Sequence, residues 1–172
     1  MPIGDRSIDI AFNDGGFTLV DFPEGYRRIF TRLRSVMTAR GLAAIRFHIK
    51  PERPESPALV IDDFRAGRIG SPNVFRWRLC AAVQADACAG VRLGDVFEQW
   101  RNAVAGFGAG QAAPPPHALE LLAHYRDVDA RYYFPTRAEL RSETEGLFRE
   151  KTVFFQRYEL GERCPTIVLQ PL

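Results

Sequence analysis

The chain has 172 residues, of which 46% are hydrophobic and 26% charged, and its net charge is +2. A domain of this length buries roughly 70% of its unfolded surface, so a sizeable core is within reach and a disordered or fibrous class is excluded. The small charge leaves no electrostatic footprint for nucleic acid, and no apolar run approaches the ~20 residues that span a bilayer.

Residues 1–6 carry no charged-then-apolar leader pattern. Residues 7–12 predict a strand that ends in the turn Asn13, Asp14, Gly15 and Gly16. A strand closing in an acidic, glycine-bearing turn lines ligand crevices at the carboxyl edge of α/β sheets. The same turn also arises where glycine is needed only for a positive φ. Pro23 fits a first helical position, and Tyr26, Ile29, Phe30, Leu33 and Met37 recur at helical spacing with arginines on the opposite face. Gly41 stands where a left-handed cap ends such a helix. Residues 42–49 are short and largely apolar and are stopped by Pro51, which predicts a buried strand parallel to the first through a helical crossover.

Ser56 and Pro57 read as a cap and a first-turn proline, opening a helix through Leu59, Val60 and Phe64 to Gly67. A second helix begins near Asn73 with Phe75, Leu79 and Val83 on one face, and a third near Asp95 presents Val96, Phe97, Trp100 and Val104. Residues 106–116, rich in Gly, Ala and Pro, predict a loop before a helix carrying Leu119, Leu122 and Tyr125. Thr136 and Glu139 form a capping-box pattern that opens a helix to about Phe148. Residues 151–158 and 166–170 then predict an antiparallel hairpin. Cys80, Cys88 and Cys164 have no metal-ligand spacing, and His48, His117 and His124 form no cluster, so no metal site is expected. An odd cysteine count suits a reducing, cytoplasmic setting.

The run I-D-I-A-F-N-D-G-G-F, the helix from Gly25 to Gly41 and the strand after it together resemble the second half of class I S-adenosylmethionine-dependent methyltransferases. The tail adds to this. Phe134 to Leu140 is similar to the helix start before that family's sixth strand, and Tyr158 to Leu169 to its closing hairpin. Phe64 to Gly70 and Phe75 to Leu79 are similar to the helical insertion that covers the substrate. The resemblance implies an α/β fold: a partial Rossmann-like sheet of about four strands, a parallel pair plus a C-terminal antiparallel hairpin. One partial domain would span 1–172, with a helical insertion over 52–130. The family's G-x-G-x-G turn, which holds the methionine end of the cofactor, and its ribose-binding acidic residue do not occur in this sequence. Met1, Pro2 and Ile3 align in kind with the residues before the family's fourth strand, so the chain is expected to start after the first three.

What the resemblance implies for function is methyl transfer from S-adenosyl-L-methionine to a small-molecule acceptor, incomplete in this chain alone. Asn13, Asp14, Gly15 and Gly16 would form one wall of the cofactor crevice. His48, beside Lys50 at the end of the second strand, is the candidate proton acceptor, since an imidazole titrates near neutrality. Arg68, Tyr132 and Tyr133 would line an acceptor pocket through the lid, the alternative being that both tyrosines pack near the hairpin. An unpaired edge over residues 8–12 predicts self-association or a partner chain. Two other readings are a noncatalytic subunit that pairs through that edge with a complete methyltransferase, and a truncated gene product.

Overall fold

A computed structural model describes residues 3–105, 120 and 122–172. Strand β1 (Ile8–Asp14) leads through helix α1 (Glu24–Val36) into β2 (Met37–Arg46), and the two strands pair in parallel. Helices α2 (Pro57–Arg65), α3 (Pro72–Val83) and α4 (Leu93–Ala105) follow. A two-stranded ribbon joins β3 (Val91–Arg92) to β4 (Arg131–Tyr132). Helix α5 (Arg137–Thr144) then precedes β5 (Phe148–Phe154) and β6 (Thr166–Pro171). The main sheet runs β1-β2-β6-β5, with the last strand inserted between β2 and β5 and antiparallel to both. This is a mixed α/β, partial Rossmann-like architecture. Among the described residues, no helix is long and apolar enough to cross a membrane.

Local chemistry sets most of these elements. Ser56 Oγ accepts from the Leu59 N–H at 3.2 Å with Pro57 in the first turn, the cap and proline that the sequence predicts. The Thr136 capping box is reciprocal: Thr136 Oγ1 accepts from the Glu139 N–H at 3.2 Å, and Glu139 Oε2 accepts from the Thr136 N–H at 2.6 Å. Three boundaries differ from the sequence reading. Helix α1 ends at Val36, and Met37 opens β2 while still buried under that helix, which is why the helical spacing runs on past the true end. Gly41 is not a helix cap. It lies inside β2 where the register slips, Ile8 facing Met37 but Ile10 facing Leu42, and a Cβ there would stand 3.0 Å from the Ile8 carbonyl oxygen. Helix α5 stops at Thr144, because Gly146 turns the chain at φ +74° and Phe148 begins β5. Pairing of Phe148 with Pro171 and of Phe154 with Thr166 then fixes β5 three residues earlier than 151–158. The predicted loop over 106–116 and Leu119 lie outside the described residues, as does the Val104 side chain.

Two apolar cores result among the described residues. One lies between α1 and one face of the sheet, where Phe17, Tyr26, Phe30, Phe47 and Phe148 pack ring against ring; the Phe17 and Phe30 centroids are 5.2 Å apart. The second joins α2, α3 and α4 around Phe64, Phe75 and Trp100, with Leu122, Tyr125 and Phe134. Gln84, at the end of α3, ties that helix to the segment that follows β4. Its Nε2 donates to the Phe134 carbonyl and its Oε1 accepts from the Phe134 N–H, both at 2.8 Å, so a buried amide copies a strand pair. Replacing Gln84 by Leu keeps the volume but strands both Phe134 groups. At about 1–3 kcal/mol for each unmet buried group, Gln84→Leu should cost on the order of 3 kcal/mol in urea unfolding. A loss below about 0.5 kcal/mol would refute this role.

Candidate functional site

Parallel pairing brings the carboxyl ends of β1 and β2 to the same side of the sheet, the position at which open α/β sheets hold ligands. The turn after β1 is locally closed. Asn13 Oδ1 accepts from the Gly16 N–H at 3.1 Å, and the Gly15 N–H donates to the Arg46 carbonyl at 3.0 Å. Gly15 has φ +72°, and a Cβ on it would come within 2.8 Å of His48 Cε1. Glycine is therefore required twice here, for its conformation and for the approach of the imidazole. Asp14 turns to β2, its Oδ1 2.5 Å from Arg46 Nε, and Arg46 Nη1 donates to the Tyr158 hydroxyl at 3.2 Å.

His48 stands two residues beyond β2. Its Nδ1 lies 3.1 Å from Thr18 Oγ1, and its ring stacks on Trp77 of α3 at 4.3 Å and 10°. Trp77 in turn stacks on Tyr132 at 5.6 Å. A groove of about 250 Å³ opens beside this column, lined by Arg46, His48, Trp77, Tyr158, Leu160 and Cys164 among others. A larger depression of about 540 Å³ lies between α5 and β5, lined by Arg141, Glu145, Arg149 and Glu150 among others and by none of the sequence-derived candidates.

Burial pushes His48 down to a pKa of about 4, helped by the charges of Arg46 and Arg76 and opposed by Asp14. The imidazole is neutral at pH 7. Thr18 is buried, and His48 Nδ1 is the acceptor within reach of its hydroxyl. The arrangement that satisfies that hydroxyl has Thr18 donating to Nδ1, which leaves the ring proton on Nε2. In that tautomer His48 offers a hydrogen-bond donor, and acting as a base requires the other tautomer.

The sequence-derived candidates are thus partly brought together. Asn13, Asp14, Gly15, Gly16 and His48 meet directly, and Tyr132 joins them through Trp77. Tyr133 contributes backbone: its N–H donates to the Thr18 carbonyl at 2.9 Å while its ring packs against the sheet core. Arg68 is elsewhere. It is ion-paired to Asp63 at 2.8 Å at the end of α2. Thr18, Arg46, Trp77 and Tyr158 were not singled out by sequence. The available signal was Trp77 itself, a large aromatic off the Phe75, Leu79 and Val83 stripe of its helix. Among the described residues no group of three His, Cys, Asp or Glu side chains is placed to hold a metal ion.

No family model matches the chain, and no curated protein does. Among solved structures the chain is similar to the PH0226 protein from Pyrococcus horikoshii OT3, with 9% identity and a TM-score of 0.49. That match takes in 100% of this chain and 55% of the other, so the chain spans about half of its length.

The His48 environment has a consequence for stability. Its folded pKa of about 4 lies below the unfolded value of 6.5, so between these values the unfolded chain holds a proton that the folded chain refuses. Stability from this residue is complete above about pH 6.5 and falls as the pH drops towards 4, by about 3 kcal/mol at most. Urea unfolding at pH 7.0 and 4.5 should show that fall, and His48→Gln should flatten it. An equal slope in the variant would mean that other groups carry it.

Proposed function

We propose that this chain is the C-terminal portion of a class I S-adenosylmethionine-dependent methyltransferase acting on a small molecule. One observation carries the reading: the closing strand β6 lies antiparallel between β2 and β5, beside a parallel pair whose carboxyl ends open on a groove. A parallel pair plus a C-terminal antiparallel hairpin is what the resemblance implies for the second half of that sheet. The helical segment over α2, α3 and α4 contributes Trp77 to the groove, as a substrate cover would.

The residues present fit the methyl donor on one side. The Asn13–Gly16 turn offers a close-approach wall, but Asn13 Oδ1 and one Asp14 oxygen are engaged locally, at Gly16 and Arg46. When bound, S-adenosyl-L-methionine supplies an activated methyl group, and the protein's share of such a displacement is mostly proximity and alignment. His48 would hold the acceptor through a neutral ring nitrogen, with Trp77 and Thr18 fixing the plane of the imidazole. Lacking the G-x-G-x-G turn and the ribose-binding acid, the chain should hold the donor weakly. Isothermal titration with S-adenosylhomocysteine should give a weak, saturable heat. No heat at millimolar ligand removes the reading for this chain.

The second reading, a subunit that works through a partner, draws on the sheet edge. Among the described residues, strand β1 pairs only with β2, and its Ile10 and Phe12 side chains are 78% and 73% exposed. An apolar unpaired edge is a template for another strand. Sedimentation should show the chain associating at micromolar concentration, and Ile10→Lys with Phe12→Lys should shift it to monomer without lowering its melting temperature. A wild-type chain that is strictly monomeric would remove this reading.

A further inference from the structure

Among the described residues the main sheet has two edges, β1 and β5, and they are built differently. Strand β5 carries Arg149, Glu150 and Lys151 in succession, all exposed. It is also bulged. Glu150 faces Leu169 while Thr152 faces Val168, so Lys151 is an extra residue on the edge strand itself. A run of charges and a bulge are devices by which an edge discourages further pairing. On the β1 side the irregularity lies on the inner strand. As β1 advances from Ile8 to Ile10, β2 runs from Met37 to Leu42, and from Ile10 to Asp14 the two strands pair residue for residue. The outer edge of β1 is therefore regular where Ile10 and Phe12 are exposed.

The acids of β1 are turned to its own sheet. Asp9 Oδ1 accepts from the Thr38 hydroxyl at 2.8 Å, and Asp14 Oδ1 lies 2.5 Å from Arg46 Nε, both partners being on β2. The Gly15 N–H also points to β2, where it donates to the Arg46 carbonyl. Backbone groups alternate sides along a strand, so the N–H and C=O groups of Ile10 and Phe12 point the other way, to the open edge.

The strand is self-complementary about Ala11, the midpoint of Ile8–Asp14. When two copies run antiparallel with Ala11 facing Ala11, Ile10 of one meets Phe12 of the other, and each such pair exchanges both main-chain hydrogen bonds. Asp9 then meets Asn13 and Asp14 meets Ile8, so no acid faces an acid. Centring on Phe12 instead sets Ile10 against Asp14. Centring on Ile10 leaves Asn13 and Asp14 beyond the end of the facing strand.

We propose that two copies of this chain join β1 to β1, antiparallel about a two-fold axis at Ala11, into one continuous sheet whose outer edges are the charged β5 strands. This rests on the reading of the β1 edge as an association surface, and adds the occupant and its register. The contact is isologous and closes at two copies, because it consumes the β1 edge of each.

The test is site-directed cross-linking of the full chain, with exposed Cys88 replaced by Ser while Cys80 and Cys164 stay buried. The register sets the facing Ala11 Cα atoms about 4.5 Å apart, within disulfide range, and the two Asp9 residues about 13 Å apart, outside it. Under mild oxidation Ala11→Cys should give mostly disulfide-linked dimer that thiol reverses, and Asp9→Cys should stay uncoupled. A second measurement needs no substitution: the Ile10 and Phe12 amides should exchange hydrogen at least tenfold more slowly at high than at low protein concentration, and sedimentation should stop at two copies. Association beyond two copies, equal coupling at both positions, or amides that exchange alike at both concentrations overturns the proposal; if Ile10→Lys with Phe12→Lys still yields monomer, the edge reading survives. A wild-type monomer overturns both. Should Ala11→Cys fail to fold, the exchange result decides.

Discussion

Where the two apolar cores meet, the joint is made by polar and ring contacts, and everything at the candidate site depends on it. Trp77 belongs to the helical core and His48 to the sheet, and their stacked rings set the distance between α3 and the end of β2. Gln84 locks the far end of α3 to the Phe134 backbone. Glu55 closes the same joint from the other side, bridging Arg78 of α3 at 2.7 Å and Arg163 before β6 at 2.6 Å. Burial pushes the Glu55 carboxyl up, but hydrogen bonds from Arg163 and Arg78 outweigh it and hold it below its ordinary range. Buried ion pairs of this kind are weak sources of net stability, because desolvation consumes most of the attraction. Their directionality is what matters here: oil-like contact alone would let α3 slide over the sheet, whereas an amide pair and a forked carboxylate admit one register.

Among the described residues, one face of the sheet is packed under α1. Ala43, Ile45, Ile167 and Leu169 point to α1 and are buried, while the alternate positions Ile10, Phe12 and Leu42 face outward and remain exposed. Such alternation is normal for a sheet with one solvated face, but the outward residues are then polar. Here the outward row beside β1 is apolar: Ile10 stands opposite Leu42 and Phe12 opposite Ala44. Towards β5 the same face is mixed, with Thr152 and Gln170 beside Val168 and the exposed Phe154. Both edges, β1 and β5, have one neighbour among the described residues, and the outward apolar side chains of Ile10 and Phe12 sit on the β1 edge.

Elements governed by near neighbours were legible in the sequence. The Thr136 and Glu139 box, the Ser56 cap and the β1–α1–β2 unit each follow from residues within a few positions of one another. Boundaries were less legible where a buried residue changes element without changing environment. Met37 is as buried at the start of β2 as it would be at the end of α1, so spacing could not tell them apart, and Phe148 poses the same problem between α5 and β5. Gly41 looked like a cap because a glycine forced by a neighbouring strand leaves the same mark as one forced by its own φ. The site divided in the same way. The turn from Asn13 to Gly16 and His48 were visible because each sits at a strand end. Arg46 with Tyr158, 112 positions apart, is a contact only the fold creates. Arg68 falls outside the groove for the opposite reason, since its partner Asp63 lies five residues away and claims it locally.

Charge bears on what the groove can hold. Around His48 stand two arginines, and among the described residues only one has an acid to match: Asp14 neutralises Arg46, while Arg76 keeps an unbalanced positive charge. Glu159 also lines the groove, but its carboxylate accepts from the Gly70 N–H at 2.8 Å and is exposed to water. The donor proposed for this fold carries a cationic sulfonium. Two like charges brought within a few ångströms in a partly desolvated groove repel by an amount that water does not fully screen.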